Sequence, residues 1–152
     1  MIHFRQIDTS HTLFLQDIRE ETVNSLSLEV MQAGPVGEPH DLKLARGTIE
    51  GVTRINSTSK SGAYKVVFDS YVCYKVLNES YSSPSHPHEV FTGNLFRIYT
   101  KSDYLDQISI DTCACDGYPG PLRHYCLICA DHIIDVVTDQ PPEITLLDSR
   151  GT

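Results

Sequence analysis

The clearest alternation of apolar and polar positions runs from Ala63 to Leu77, AYKVVFDSYVCYKVL, where β-branched and aromatic residues dominate and no breaker intervenes. With a period of two, Tyr64, Val66, Phe68, Ser70, Val72, Tyr74 and Val76 make a mostly apolar side. Lys65, Val67, Asp69, Tyr71, Cys73 and Lys75 make a mixed one. The pattern predicts one long strand with the first set facing the core. Gly47 to Ile55 alternates similarly, and the polar stretch NSTSKSG from Asn56 to Gly62 reads as a turn, so the two segments are expected to pair as an antiparallel hairpin.

Further strands are expected at Leu13 to Ile18 and Leu26 to Ala33, with Asp17 to Asn24 open to a helical turn and Gly34 to Asp41 (GPVGEPHD) read as a loop. Glu89 to Tyr99 reads as a strand after the polar, proline-rich loop Ser80 to His88. Ser102 is a good N-cap, Asp103 suits the positive end of a helix dipole, and Leu105, Ile108, Thr112 and Cys115 recur at helical spacing. One helix is predicted over about 103–115, stopped by Gly117, Pro119, Gly120 and Pro121. Leu122 to Ala130 and His132 to Thr138 read as strands around a tight connection at Ala130-Asp131, and Glu143 to Leu147 as an edge strand. The sum is an α+β, β-rich fold. A mostly antiparallel sheet of about seven to nine strands must curl into a half-open barrel or a two-layer sandwich with one main helix. Residues 1–152 are long enough for one core and are expected to form a single domain.

Charge and composition narrow the functions. The net charge is −8, and the basic residues are scattered singly from Arg5 to Arg150, whereas a nucleic-acid backbone needs clustered cations. No nucleic-acid partner is expected; an acidic surface serves solubility or a basic protein partner. No apolar run approaches the roughly 20 residues that span a bilayer, so no membrane association is expected. Arg5, Asp8 and Asp17 interrupt any apolar segment near the N-terminus, which argues against a signal peptide and for a cytoplasmic location. Five cysteines, an odd number, then read as reduced thiols and not a disulfide framework.

Four of the five cysteines fall between Cys113 and Cys129, in the segment with the densest turn punctuation. Cys113, Cys115, Cys126 and Cys129, with His124 and His132 in reserve, have the composition of a zinc site. Their expected structure opposes it: residues two apart on a helix point about 200° apart, and residues three apart on a strand face opposite sides. Buried thiols are the plainer reading, and no metal or cofactor is assigned.

A sharper constellation follows if Ala130-Asp131 is a two-residue turn, since 127 then opposes 134 and 126 opposes 135. His124, Cys126, Ile128, Ile133, Asp135 and Val137 would share one face. His124, Cys126 and Asp135 bring the imidazole, thiol and carboxylate of nucleophilic catalysis, although the same face is equally that of an ordinary hairpin. Asp69, Tyr71 and Lys75, on the mixed side of the long strand, would line a ligand cavity if the barrel is half open. His86-Pro87-His88 is a candidate chelator on a loop. Eight tyrosines against five phenylalanines and no tryptophan suit half-buried or interface positions.

The stretches Phe96 to Leu105 (FRIYTKSDYL), His124-Tyr125 and His132 to Val137 (HIIDVV) resemble small uncharacterised bacterial proteins of the mobile gene-cassette or immunity type. The resemblance covers residues 89–147 and brings no catalytic residue with it. It implies a cytosolic bacterial accessory protein, and the acidic surface and the tyrosines favour a non-enzymatic role in which the chain binds a protein partner or its own copy. The alternative is a small-ligand-binding cavity protein or small enzyme with a polar pocket between sheet and helix.

Overall fold

A computed structural model describes residues 2–58 and 60–147. Two antiparallel sheets face one another, and neither closes into a barrel. The first holds β1 (Thr12–Arg19), β2 (Leu26–Leu44), β4 (Ala63–Phe68) and β10 (Glu143–Leu147) in that order, with β3 (Gly47–Asn56) also on β2. The second runs β5 (Cys73–Asn78), β9 (His132–Thr138), β8 (Arg123–Ile128), β7 (Phe96–Lys101), β6 (Val90–Thr92). Helix α1 (Ile2–Asp8), unforeseen in the sequence, adds Ile7 to the core, and α2 (Asp103–Asp111) lies beside β8. The β-rich, two-layer expectation holds.

The core fills the space between the sheets. Leu13, Leu26, Leu28, Val30, Tyr64, Val66 and Phe68 come from the first, and Phe96, Tyr125, Leu127, Cys129, Ile134 and Val136 from the second and its turn. In β4 burial alternates with the sequence, so Tyr64, Val66 and Phe68 do point inward as the period of two requires. The single strand from 63 to 77 does not form. β4 ends at Phe68, and residues 69–72 carry the chain across to β5 in the other sheet. That crossing is sheltered because the Tyr71 amide donates to the Asn24 carbonyl (3.2 Å) and the Val72 amide to the Val137 carbonyl (2.8 Å).

The expected pairing of β3 with β4 is also replaced. β2 is 19 residues long and offers its length to both: Leu26 to Met31 pair with β4, and Gly34 to Leu44 with β3. Gln32 marks the change, its amide donating to the Gly62 carbonyl (2.8 Å) and its side-chain oxygen accepting from the Gly62 amide (3.0 Å). The predicted loop at 34–41 is therefore strand. Pro35, Gly37 and Pro39 are tolerated because this part of β2 bulges and pairs with β3 alone.

Two more elements are shorter than expected. The strand at 89–99 is a hairpin, β6 and β7, turned at Gly93, whose φ of +93° suits glycine and where a Cβ would run into the Phe96 carbonyl. Helix α2 starts where predicted, the Ser102 hydroxyl accepting from the Leu105 amide at 3.0 Å, but ends at Asp111, with Thr112 as C-cap. Cys113 and Cys115 thus lie beyond the helix. Residues 17–24 hold the end of β1 and a turn, with no helix.

Candidate functional site

The β8–β9 hairpin has the register that a two-residue turn dictates, Leu127 opposite Ile134 and Cys126 opposite Asp135. Its inner face belongs to the core. Its outer face carries His124, Cys126 and Asp135, flanked by Lys75 of β5 opposite Asp135 and by Arg97 and Tyr99 of β7 opposite Cys126 and His124. The N-terminal turn of α2 and the loop Ser82 to Glu89 cover part of this face, leaving a cleft of about 240 Å³. That is below the roughly 300 Å³ at which small-molecule pockets usually begin.

At its floor lies a buried polar chain. His124 Nε2 is 2.7 Å from Asp135 Oδ1, and His124 Nδ1 is 2.8 Å from Ser102 Oγ. An ionised carboxylate only accepts, so the Nε2 proton points at Asp135; the Ser102 hydroxyl, which accepts from Leu105, has its own proton left to give Nδ1. Tyr99 stacks on the imidazole at 4.4 Å and Tyr104 meets it edge-on at 5.2 Å. Lys75 Nζ sits 3.7 Å from Asp135 Oδ2 and 4.3 Å from the centre of the Tyr104 ring. Burial alone would raise the Asp135 carboxyl, but hydrogen bonds from His124 and Cys126 and the Lys75 ammonium hold it below its ordinary value.

Serine, histidine and aspartate in one chain evoke a catalytic triad, yet the accessibility runs the other way. Ser102 is completely buried and its hydroxyl caps α2. Cys126 is 4% exposed, and burial together with the Asp135 charge pushes its thiol well above the ordinary range. Burial likewise raises Cys129 to about 12. In the native protein at pH 8, a thiol alkylating agent is therefore expected to modify the exposed Cys113 and Cys115 quickly, and Cys126 and Cys129 only after denaturation. Peptide mapping by mass spectrometry reads this directly; rapid native labelling of Cys126 would restore it as a nucleophile.

The sequence-level candidates separate as follows. His124, Cys126 and Asp135 converge, their ligand-type atoms within 4.8 Å of one another. Cys113, Cys115, Cys126 and Cys129 do not: two are exposed on a loop, Cys126 points outward from β8 and Cys129 inward to the core. Among the described residues no group of three or more metal-type ligands includes more than one of them. His132 stands opposite Asn78, outside the cleft. Asp69, Tyr71 and Lys75 do not share a strand face, because β4 ends at Phe68, Asp69 and Tyr71 fall in the crossing segment, and Lys75 belongs to β5 in the other sheet. Lys75 enters the cleft, Asp69 is exposed in the crossing segment, and the Tyr71 hydroxyl donates to Glu20 while its ring packs on Tyr74.

Sequence reasoning missed Arg97 and Tyr99, although the β7–β8 register that places them is only one strand away. Arg97 Nη1 donates to Ser85 Oγ (3.0 Å) and to the Tyr99 hydroxyl (3.3 Å), and no carboxylate pairs with it among the described residues. It also treated Asp103 only as a helix-end charge. Asp103 bonds both His86 and His88 at the cleft mouth.

A second surface shares no residue with the cleft. Beyond Gly34, β2 and β3 leave the first sheet as a two-stranded arm in which every residue from Pro35 to Gly51 is exposed. Leu42 opposes Ile49 and Leu44 follows two residues on, so three large aliphatic side chains share one face, 41%, 50% and 54% exposed respectively.

Compared with protein-family models, with curated proteins and with solved structures, the chain matches none. Among the described residues no helix is long and apolar enough to cross a membrane.

Proposed function

We propose that this is a binding protein that acts through the β2–β3 arm, and that the arm's occupant is a second copy of the chain. The observation that carries the reading is the arm's exposure. An isolated two-stranded ribbon is marginal in water, and a third strand or a packed face is what makes such ribbons stable. Among the described residues the part beyond Gly34 has neither, and its outer strand edges pair with no further strand.

Charge favours like pairing with like. Glu38, Asp41 and Glu50 are balanced by Lys43, Arg46 and Arg54, so residues 35–54 are neutral in a chain of net charge −8. Two acidic bodies repel each other, whereas two neutral arms with mixed charges can meet around a two-fold axis, each residue's partner supplied by the other copy. The resemblance to accessory proteins of the immunity type is compatible with such an arm. A basic toxin-like partner would be expected to seek the acidic body instead.

Sedimentation velocity tests this. Wild type is expected to dimerise with rising concentration up to about 100 µM, and Leu42→Asp or Ile49→Asp to remain monomeric with an unchanged circular dichroism spectrum. A wild-type monomer throughout, or a dimer indifferent to both substitutions, would overturn the proposal.

A further inference from the structure

The loop Ser82 to Glu89 and the first turn of α2 bring together a second cluster, distinct from the buried chain below it. Asp103 Oδ2 contacts His86 Nδ1, and Asp103 Oδ1 lies 2.6 Å from His88 Nε2. The ligand-type atoms of all three residues fall within 4.8 Å of one another, and the two imidazoles are 5.6 Å apart at an angle of 35°. We propose that His86, His88 and Asp103 bind a divalent transition-metal ion, with zinc as the probe, at the mouth of the cleft.

The donor set selects the metal class. Two imidazole nitrogens and one carboxylate suit zinc and its first-row neighbours; magnesium and calcium prefer oxygen alone. Bonds of about 2.0–2.1 Å in a tetrahedron place ligand atoms roughly 3.3 Å apart, and the three donor atoms here already lie within 4.8 Å of one another on exposed side chains, so rotamer adjustment without backbone movement would admit an ion. The ion would replace the protons that now bridge carboxylate and imidazoles.

The backbone is already held for this purpose. Glu89 accepts from the His86 amide with one carboxylate oxygen (2.9 Å) and from the Asp103 amide with the other (3.2 Å), tying the two chain segments together. Glu89 thus fixes the backbone from which two of the three donor side chains project. Pro84 and Pro87 narrow the loop's conformations, and Ser85 fastens it to Arg97 and Tyr99. Three protein ligands leave a coordination position for water or a small ligand, and His86, Glu89 and Asp103 line the same cleft as Arg97.

Calorimetric titration of zinc into the full chain, purified in chelator and desalted, is the test. Wild type should bind about one ion, and His88→Ala and Asp103→Asn should each weaken binding at least about tenfold. Because these side chains are roughly half exposed, their circular dichroism should match wild type. The Cys113→Ser/Cys115→Ser double variant should bind as wild type does, and the cobalt complex should lack a thiolate charge-transfer band. Absence of saturable binding, binding indifferent to His88→Ala, or binding lost with the two exposed thiols would each overturn the assignment.

Discussion

Asp135→Ala is expected to lower the unfolding free energy by about 3–4 kcal/mol at pH 7, the largest effect of any polar substitution outside the turns. Its carboxylate holds the Nε2 proton of a buried histidine and faces both the Cys126 thiol and the Lys75 ammonium. Truncation leaves the imidazole proton without an acceptor, in a position where it is only 4% exposed and hemmed by Tyr99 and Tyr104. Asp135→Asn keeps an acceptor and should cost roughly half as much. Urea unfolding measures both. The pH dependence has a definite sign: a carboxyl held below its ordinary value when folded stabilises fully above its unfolded pKa of about 4, and that share is lost as pH falls through the lower folded value. The gap between wild type and Asp135→Ala should therefore narrow in acid. A gap that is constant from pH 7 to below 3, or absent at pH 7, would mean that the buried chain is not held by this carboxylate.

Phe68→Ala should cost about 3–5 kcal/mol, because the ring is 1% exposed and meets Tyr125 of the opposite sheet at 5.6 Å. Val76→Ala is the instructive partner. On one continuous strand Val76 and Phe68 would share a buried face and both losses would be large. In the structure Val76 is 45% exposed on an edge strand, and its truncation should stay within about 0.5 kcal/mol. Chemical denaturation of the two variants side by side reads the difference, and a comparable large loss at Val76 would restore the single strand.

What was legible in the sequence was local. The β8–β9 register needed only a turn length at Ala130-Asp131 and the strict two-residue period, and it correctly placed His124, Cys126 and Asp135 on one face. The start of α2 needed only Ser102, whose side chain satisfies a helix-end amide wherever the helix packs. The inward set of β4 needed only alternation. A two-layer β-rich fold follows from many such short segments, each with one face to hide.

The tertiary structure decided whatever depended on partners distant in the chain. An unbroken apolar pattern from 63 to 77 reads the same whether the strand stays in one sheet or crosses to another, and only the carbonyls of Asn24 and Val137, supplied from elsewhere, make the crossing at 69–72 affordable. β3 lost β4 as a partner because β2 was long enough to serve both, a competition no local pattern records. The meeting of His86 and His88 with Asp103, 17 and 15 residues on, has the same origin. Sequence spacing fixed which side chains leave a segment together; the packing of two sheets, a loop and a helix determined which of them meet.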